Sequence, residues 1–197
     1  MQFKILSTEK DFEQYQIGFL DEFLRLTQQT GTPIPSEYLK SSKVVGVIND
    51  AGIMVAGYIL NSRQPFRLLE FVPEVPRKKL SLPDGKAWND CVEVTCVWKL
   101  PNQVSHLFMT SRFWPRVQVE ILTSGKALML GHTQNAKLNQ FYSFARPLTL
   151  YEGISTFGLP STLFVYRRWQ NVACYFALYF IETPKRAFKQ WNKNGRK

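Results

Sequence analysis

The sequence predicts an α/β fold, and three observations predict it. Phe12, Tyr15, Phe19, Phe23 and Leu26 keep a 3.6-residue period. Two β-branched runs flank the turn Asn49-Asp50-Ala51-Gly52. A short apolar run, Ala127–Gly131, passes through a polar turn into a second helical pattern, the arrangement in which α/β proteins tend to place chemistry.

Phe3, Ile5 and Leu6 suggest a first strand. Thr8 stands three residues ahead of Asp11, a loose capping arrangement, so the first helix starts there and runs to about Gln29 before Gly31, Pro33 and Pro35 stop it. A second short helix begins near Pro35. Val44–Ile48 and Ile53–Leu60 form the clearest hairpin, and Phe66–Phe71 suggests a further strand. Val72–Asn89, with its prolines, glycine and charges, reads as a surface excursion.

Cys91–Leu100 is a strong strand, rich in Val, Thr and Trp. Strict alternation puts Cys91, Glu93, Thr95 and Val97 on one face and Val92, Val94, Cys96 and Trp98 on the other. Glu93 is therefore a mid-strand carboxylate on an otherwise apolar or small face, either solvated or salt-bridged, or placed for use. Leu107–Ser124 is mostly helical in spacing, although Val117–Ile121 alternates like a strand, and Pro115 fits only where the regular helix begins.

In the 127–146 stretch, His132-Thr133-Gln134-Asn135 breaks the apolar run. Asn135 or Thr133 caps a helix carrying Leu138, Phe141, Tyr142 and Ala145, which Pro147 ends. Asn135 and Tyr142 lie two turns apart on one face. Leu148–Ile154, Ser161–Arg167 and Val172–Ile181 read as strands, and Pro184–Asn192 as a terminal helix.

A chain of 197 residues with 45% hydrophobic content can bury a full core. The expected organisation is one domain over residues 1–183 with a basic tail over 184–197. Three cysteines with no C-x-x-C spacing signal neither a disulfide framework nor zinc, and His106 and His132 pair with no ligands at metal spacing. No metal is expected. The start lacks the apolar region of a signal peptide, and the longest apolar run, Val172–Ile181, is half of a membrane span, so a cytoplasmic protein without a membrane span is expected. No two glycines are separated by one residue, which excludes dinucleotide and phosphate-loop fingerprints, and no serine sits in a nucleophile elbow.

The net charge of +10 is concentrated after Glu182, at Lys185, Arg186, Lys189, Lys193, Arg196 and Lys197. It is either a solvated tail or a surface for an acidic protein, a phosphate-bearing cofactor or nucleic acid. No nucleic-acid module accompanies it, which disfavours the last.

The element order, the hairpin after a long first helix, the strand–turn–helix from Cys91, and Asn135-x-x-Leu138-x-x-x-Tyr142 together resemble the GNAT (N-acetyltransferase-like) superfamily of acyltransferases. The last is similar to that family's late N-x-x-A-x-x-x-Y motif. The resemblance implies a single domain with a mixed, mostly antiparallel twisted sheet flanked by helices. The long excursion before Glu93-Val94-Thr95 is similar to the branch of acyl-homoserine-lactone and N-acyl amino acid synthases. Cys96 stands where those enzymes carry the arginine of an E-x-S-R segment, and their aromatic and acidic residues are not evident around Thr27–Leu39, so a homoserine-lactone product is not implied. The family's glycine-rich donor loop has no counterpart in Leu100–Arg112.

The resemblance implies transfer of an acyl group from a pantetheine thioester, on acyl-CoA or acyl carrier protein, to a small-molecule amine. The donor arm would lie where the Cys91–Leu100 strand splays from the Ala127–Thr133 strand. Glu93 is the implied base, directly or through a water, and Tyr142 the implied acid for the leaving thiolate. Tyr142 also fits plain core packing. Donor contacts fall to Trp98, Lys99, Arg112, Arg116 and Asn135, with backbone N–H groups at the start of the Leu107–Ser124 helix. An acidic acyl carrier protein would be steered by the basic surface. The alternative is a non-catalytic GNAT-like interaction module that has lost its donor loop.

Overall fold

The computed structural model describes residues 1–28, 31–134, 146–173 and 175. Among them a seven-stranded sheet runs in the order β1-β2-β3-β4-β5-β7-β6. Its strands are β1 (Gln2–Ile5), β2 (Lys43–Ile48), β3 (Met54–Asn61), β4 (Cys91–Lys99), β5 (Leu128–Thr133), β6 (Leu148–Ile154) and β7 (Pro160–Arg167). Every neighbouring pair is antiparallel except β4 and β5. The fold is thus a mixed, mostly antiparallel sheet flanked by helices, as the sequence predicts.

Helix α1 (Glu9–Thr27) is capped as its sequence requires, the Thr8 hydroxyl accepting from the Asp11 N–H. It and α2 (Ser36–Ser41) cover one face of the sheet, where Tyr15, Tyr38 and Leu39 pack on Val44, Ile59, Cys96 and Trp98. The excursion, including α3 (Glu74–Arg77), continues over the same face, and Phe66, Leu68 and Val72 cover Cys91, Leu128, Leu130, Leu163 and Val165. The opposite face carries α4 (His106–Phe108), a π-helical turn (Met109–Phe113) and α5 (Trp114–Thr123) in unbroken succession. Phe113, Val117 and Ile121 pack there on Val45, Tyr58 and Val92. Pro115 stands in the first turn of α5, where its missing N–H costs no helical bond, and Val117–Ile121 is helix.

Three expectations are corrected. Residues 67–71 form a 3-10 turn, because the Arg67 and Leu68 N–H groups point at the Glu93 carboxylate and not at a neighbouring strand. His132 and Thr133 are not a turn; they extend β5, paired with Leu163 and Thr162. Residues 168–173 are helical where Val172 was expected to start a strand, and Arg168 and Asn171 of this helix bond the Leu122 carbonyl and the Gln118 side chain of α5. The rest of 172–181, the Pro184–Asn192 helix and the basic tail lie outside the described residues. Among the described residues no helix is long and apolar enough to cross a membrane.

Candidate functional site

Glu93 is the centre of the site. Its side chain is completely buried and meets four donors from three separate segments. Oε1 accepts from the Tyr38 hydroxyl at 2.6 Å, the Asn61 amide at 3.2 Å and the Arg67 N–H at 2.9 Å; Oε2 accepts from the Leu68 N–H at 3.0 Å. Glu93 is closed off from solvent and has no ion-pair partner among the described residues. Burial pushes its carboxyl above the usual carboxylate range, and the hydrogen bonds from Tyr38, Leu68, Arg67 and Asn61 oppose that rise. Burial, joined by the neighbouring Glu93 charge, also pushes the Tyr38 hydroxyl far up, so it keeps its proton as a donor.

Just past Glu93 the sheet opens. β4 and β5 pair only at Cys91/Leu128, Val92/Met129 and Glu93/Leu130, although both strands continue beyond. The cause lies in β4 itself. Gly57 stands opposite Trp98 and Ile59 opposite Thr95, so β4 carries an extra residue at this point. Cys96 takes a left-handed φ of +50° there, a conformation that costs a non-glycine residue about 1–2 kcal/mol. The Tyr15 hydroxyl holds the bulge by donating to the Cys96 carbonyl at 2.6 Å. The bulge also breaks the strict alternation: Cys96 and Trp98 join Tyr15 under α1, on the same side as Glu93 and Thr95.

The far wall of the opening is β5. His132, two residues beyond Leu130 and therefore on the Glu93 face, places Nε2 2.6 Å from the Ser161 hydroxyl. Its ring stacks on Phe71 at a centroid separation of 4.1 Å. Burial pulls the imidazole down to about 4, so it is neutral at physiological pH.

The residues singled out from sequence divide clearly. Trp98 is core: the bulge turns it inward against Tyr15, and it is only 4% exposed. Its ring lies so close to α1 that a Cβ on Gly18 would come within 2.3 Å of it. Arg116 is also removed from the opening, since it bonds Glu120 and lies 4.6 Å over the ring of Phe3, on the far edge strand β1. Lys99 sits at the end of β4, partly exposed, and Arg112 is exposed on the π-helical turn. The Phe108 N–H is taken by the Ser105 hydroxyl, which caps the start of α4. Asn135 and Tyr142 lie outside the described residues. Among the described residues no cluster of His, Cys, Asp and Glu could hold a metal ion.

Sequence reasoning found Glu93 and missed its partners Tyr38, Asn61 and Arg67, together with His132. Asn61 left a signal, a lone amide closing an otherwise apolar strand. Tyr38 is an aromatic residue within the very segment, Thr27–Leu39, in which none stood out.

No family model matches the chain, and no curated protein matches it. Solved structures do. FeeM, an N-acyl amino acid synthase from uncultured soil microbes, superposes with a TM-score of 0.62 at 11% identity, over 85% of this chain and 91% of that one. TofI, solved in a ternary complex with an inhibitor and MTA, gives 0.56 at 13% identity, over 89% and 96%. A ribosomal-protein-alanine N-acetyltransferase from Brucella melitensis gives 0.53 at 10% identity, over 85% and 99%. The chain has the fold of the GNAT acyltransferases.

Proposed function

We propose that the protein transfers an acyl group from a pantetheine thioester, on acyl-CoA or acyl carrier protein, to a small-molecule amine. The observation that carries this reading is the opening between β4 and β5 beyond Glu93 and Leu130, in a fold shared with acyltransferases. Strand backbone left unpaired there can bond the amides of a pantetheine arm as an added strand would.

In this reading the acceptor amine attacks the thioester carbonyl and must lose a proton. Glu93 is the base, reached through Tyr38: the amine proton passes to the Tyr38 oxygen as the Tyr38 proton, 2.6 Å from Oε1, passes to Glu93. The tetrahedral adduct expels the thiolate, and Tyr142 returns a proton to sulfur. Asn135 orients the donor, and Lys99 and Arg112 serve its phosphate. The net charge of +10 supports an acidic acyl carrier protein as a donor, whose association would weaken as salt rises.

The deciding experiment is thermal unfolding with acetyl-CoA, long-chain acyl-CoAs and acyl carrier protein added separately. A donor at a hundred times its dissociation constant adds about 2.7 kcal/mol of apparent stability, and the donor that shifts the melt is then assayed with amines. Absence of any shift would sink the proposal. It would favour the second reading, a non-catalytic interaction module, which the glycine-free segment after β4 supports.

A further inference from the structure

The turn that holds the Glu93 carboxylate is itself held from the other side of the opening. At its start, the Arg67 and Leu68 N–H groups donate to Glu93, which belongs to β4. Its end is gripped by the strands beyond the opening. Thr156, at the tip of the β6–β7 hairpin, donates its N–H to the Phe71 carbonyl at 3.0 Å and its hydroxyl to the Glu70 carbonyl at 2.5 Å. The Phe71 ring stacks on His132 of β5 and meets Phe157 of the tip edge to face, 5.3 Å between centroids. The tip has a defined shape, closed by the Gly158 N–H on the Ser155 carbonyl and the Ser155 N–H on the Leu159 carbonyl. The 67–71 turn spans five residues and is bonded internally, Leu69 to Phe66 and Val72 to Leu69. A short, bonded segment gripped at one end fixes the aim of the N–H groups at the other, and hydrogen bonds weaken steeply as that aim is lost.

We infer that Thr156 is a positioning residue for Glu93, aiming two of its backbone donors through the 67–71 turn. Its meaning for turnover rests on the acyl-transfer reading and deepens it. Thr156 is exposed while Glu93 is completely buried, so the influence runs through the turn. Among the described residues the titratable and charged groups about Glu93 are Tyr38 of α2, Cys91 and Cys96 of β4, and Arg67 of the turn, with His132 two residues along β5 from its partner Leu130. Burial keeps the tyrosine and both thiols protonated and the imidazole neutral, and a guanidinium is a fixed cation. The backbone donors are therefore the part of this environment that Thr156 can change. Burial favours the neutral carboxyl, and donors to the charged form oppose it. Loosening the turn removes part of that opposition, so Glu93 takes up its proton at a higher pH.

The test follows Glu93 itself, by carbon NMR of the full-length protein labelled at the glutamate carboxyls across a pH series. The Glu93 signal is the one missing from E93Q. T156V removes the hydroxyl donor and keeps the backbone bond, whereas T156S keeps both. T156V is expected to raise the pH at which Glu93 titrates by about half a pH unit or more, and T156S to stay near wild type. In turnover, the acid limb of kcat/KM is expected to move the same way, because the base must be unprotonated to act. If Thr156 merely braces the hairpin, T156V lowers the melting temperature and leaves the Glu93 signal as in wild type; that result overturns the inference. Equal shifts with T156V and T156S overturn it too, since the hydroxyl is then not the cause. Should T156V fail to fold, Phe157→Leu loosens the same grip through its ring contact, and its Glu93 signal is read by the same criterion. The titration needs no substrate, so a protein that acylates no amine sinks the acyl-transfer reading alone and leaves this test standing.

Discussion

The Tyr15 hydroxyl donates to the Cys96 carbonyl at 2.6 Å, across 81 residues of sequence, and ties α1 to the one residue of β4 that adopts a left-handed conformation. Tyr15 is fully buried. Tyr15→Phe keeps the packing and strands the carbonyl, so a loss of about 1–3 kcal/mol is expected in urea unfolding. The same substitution is expected to weaken the donor-induced melting shift, because the bulge shapes the opening.

Gly18 carries the opposite constraint. A Cβ there would lie 2.3 Å from the Trp98 ring, and that ring is wedged against Tyr15. Gly18→Ala is expected to cost about 1–3 kcal/mol despite alanine's better helix propensity, because it overpacks the α1–β4 contact. A Gly18→Ala protein as stable as the wild type would show that Trp98 has room to move.

Glu93→Gln tests a strut against a base. The amide oxygen can replace one carboxylate oxygen, but the NH2 group must then face an N–H or hydroxyl donor, at a cost of about 1–3 kcal/mol in stability. Turnover by the folded fraction separates the roles: as the proposed base its loss lowers kcat by about a hundredfold or more, whereas a strut alone leaves kcat near wild type. Tyr38→Phe should lower kcat in parallel if the proton passes through its hydroxyl.

His132 sets a pH dependence. Its imidazole titrates near 4 in the folded chain against an ordinary value of 6.5. Above 6.5 neither folded nor unfolded chain protonates it; as pH falls from 6.5 to 4 the unfolded chain alone takes up the proton, so stability declines. About 2 kcal/mol is expected after allowing for partial exposure. His132→Gln should flatten that part of the stability–pH curve, measured by urea unfolding at a series of pH values.

Cys91 and Cys96 are buried, and burial raises their thiols to about 12 and about 11. The thiolate is the reactive form. A disulfide reagent at pH 8 is therefore expected to spare both in the native protein and to label both once the chain is unfolded, as peptide mapping would report.

The legible parts of the fold were those written locally. The Thr8 cap, the helical period of α1 and the Asn49–Gly52 turn each lie within a few residues, and all stand where the sequence puts them. Glu93 was legible because a carboxylate in an apolar strand is costly and needs a reason. Its partners were not, since Tyr38, Asn61, Arg67 and Leu68 arrive from 55, 32, 26 and 25 residues away. The bulge was invisible to a rule of strict alternation, which separates Cys96 and Trp98 from Glu93, whereas in the structure both join its face. Phe66–Phe71 failed for a related reason: its apolar residues suit a strand or a 3-10 turn equally, and the Glu93 carboxylate decides between them.

The short seam between β4 and β5 has a mechanical meaning. The sheet is two plates, β1 to β4 and β5-β7-β6; among the described residues their strand pairing is three registered parallel pairs, with Phe66, Leu68 and Val72 packed across both. Each plate is internally antiparallel and more extensively paired than the seam between them. The seam is the part of the sheet with the least strand pairing to resist a spreading force, so the rim of the opening can yield while each plate keeps its own pairing.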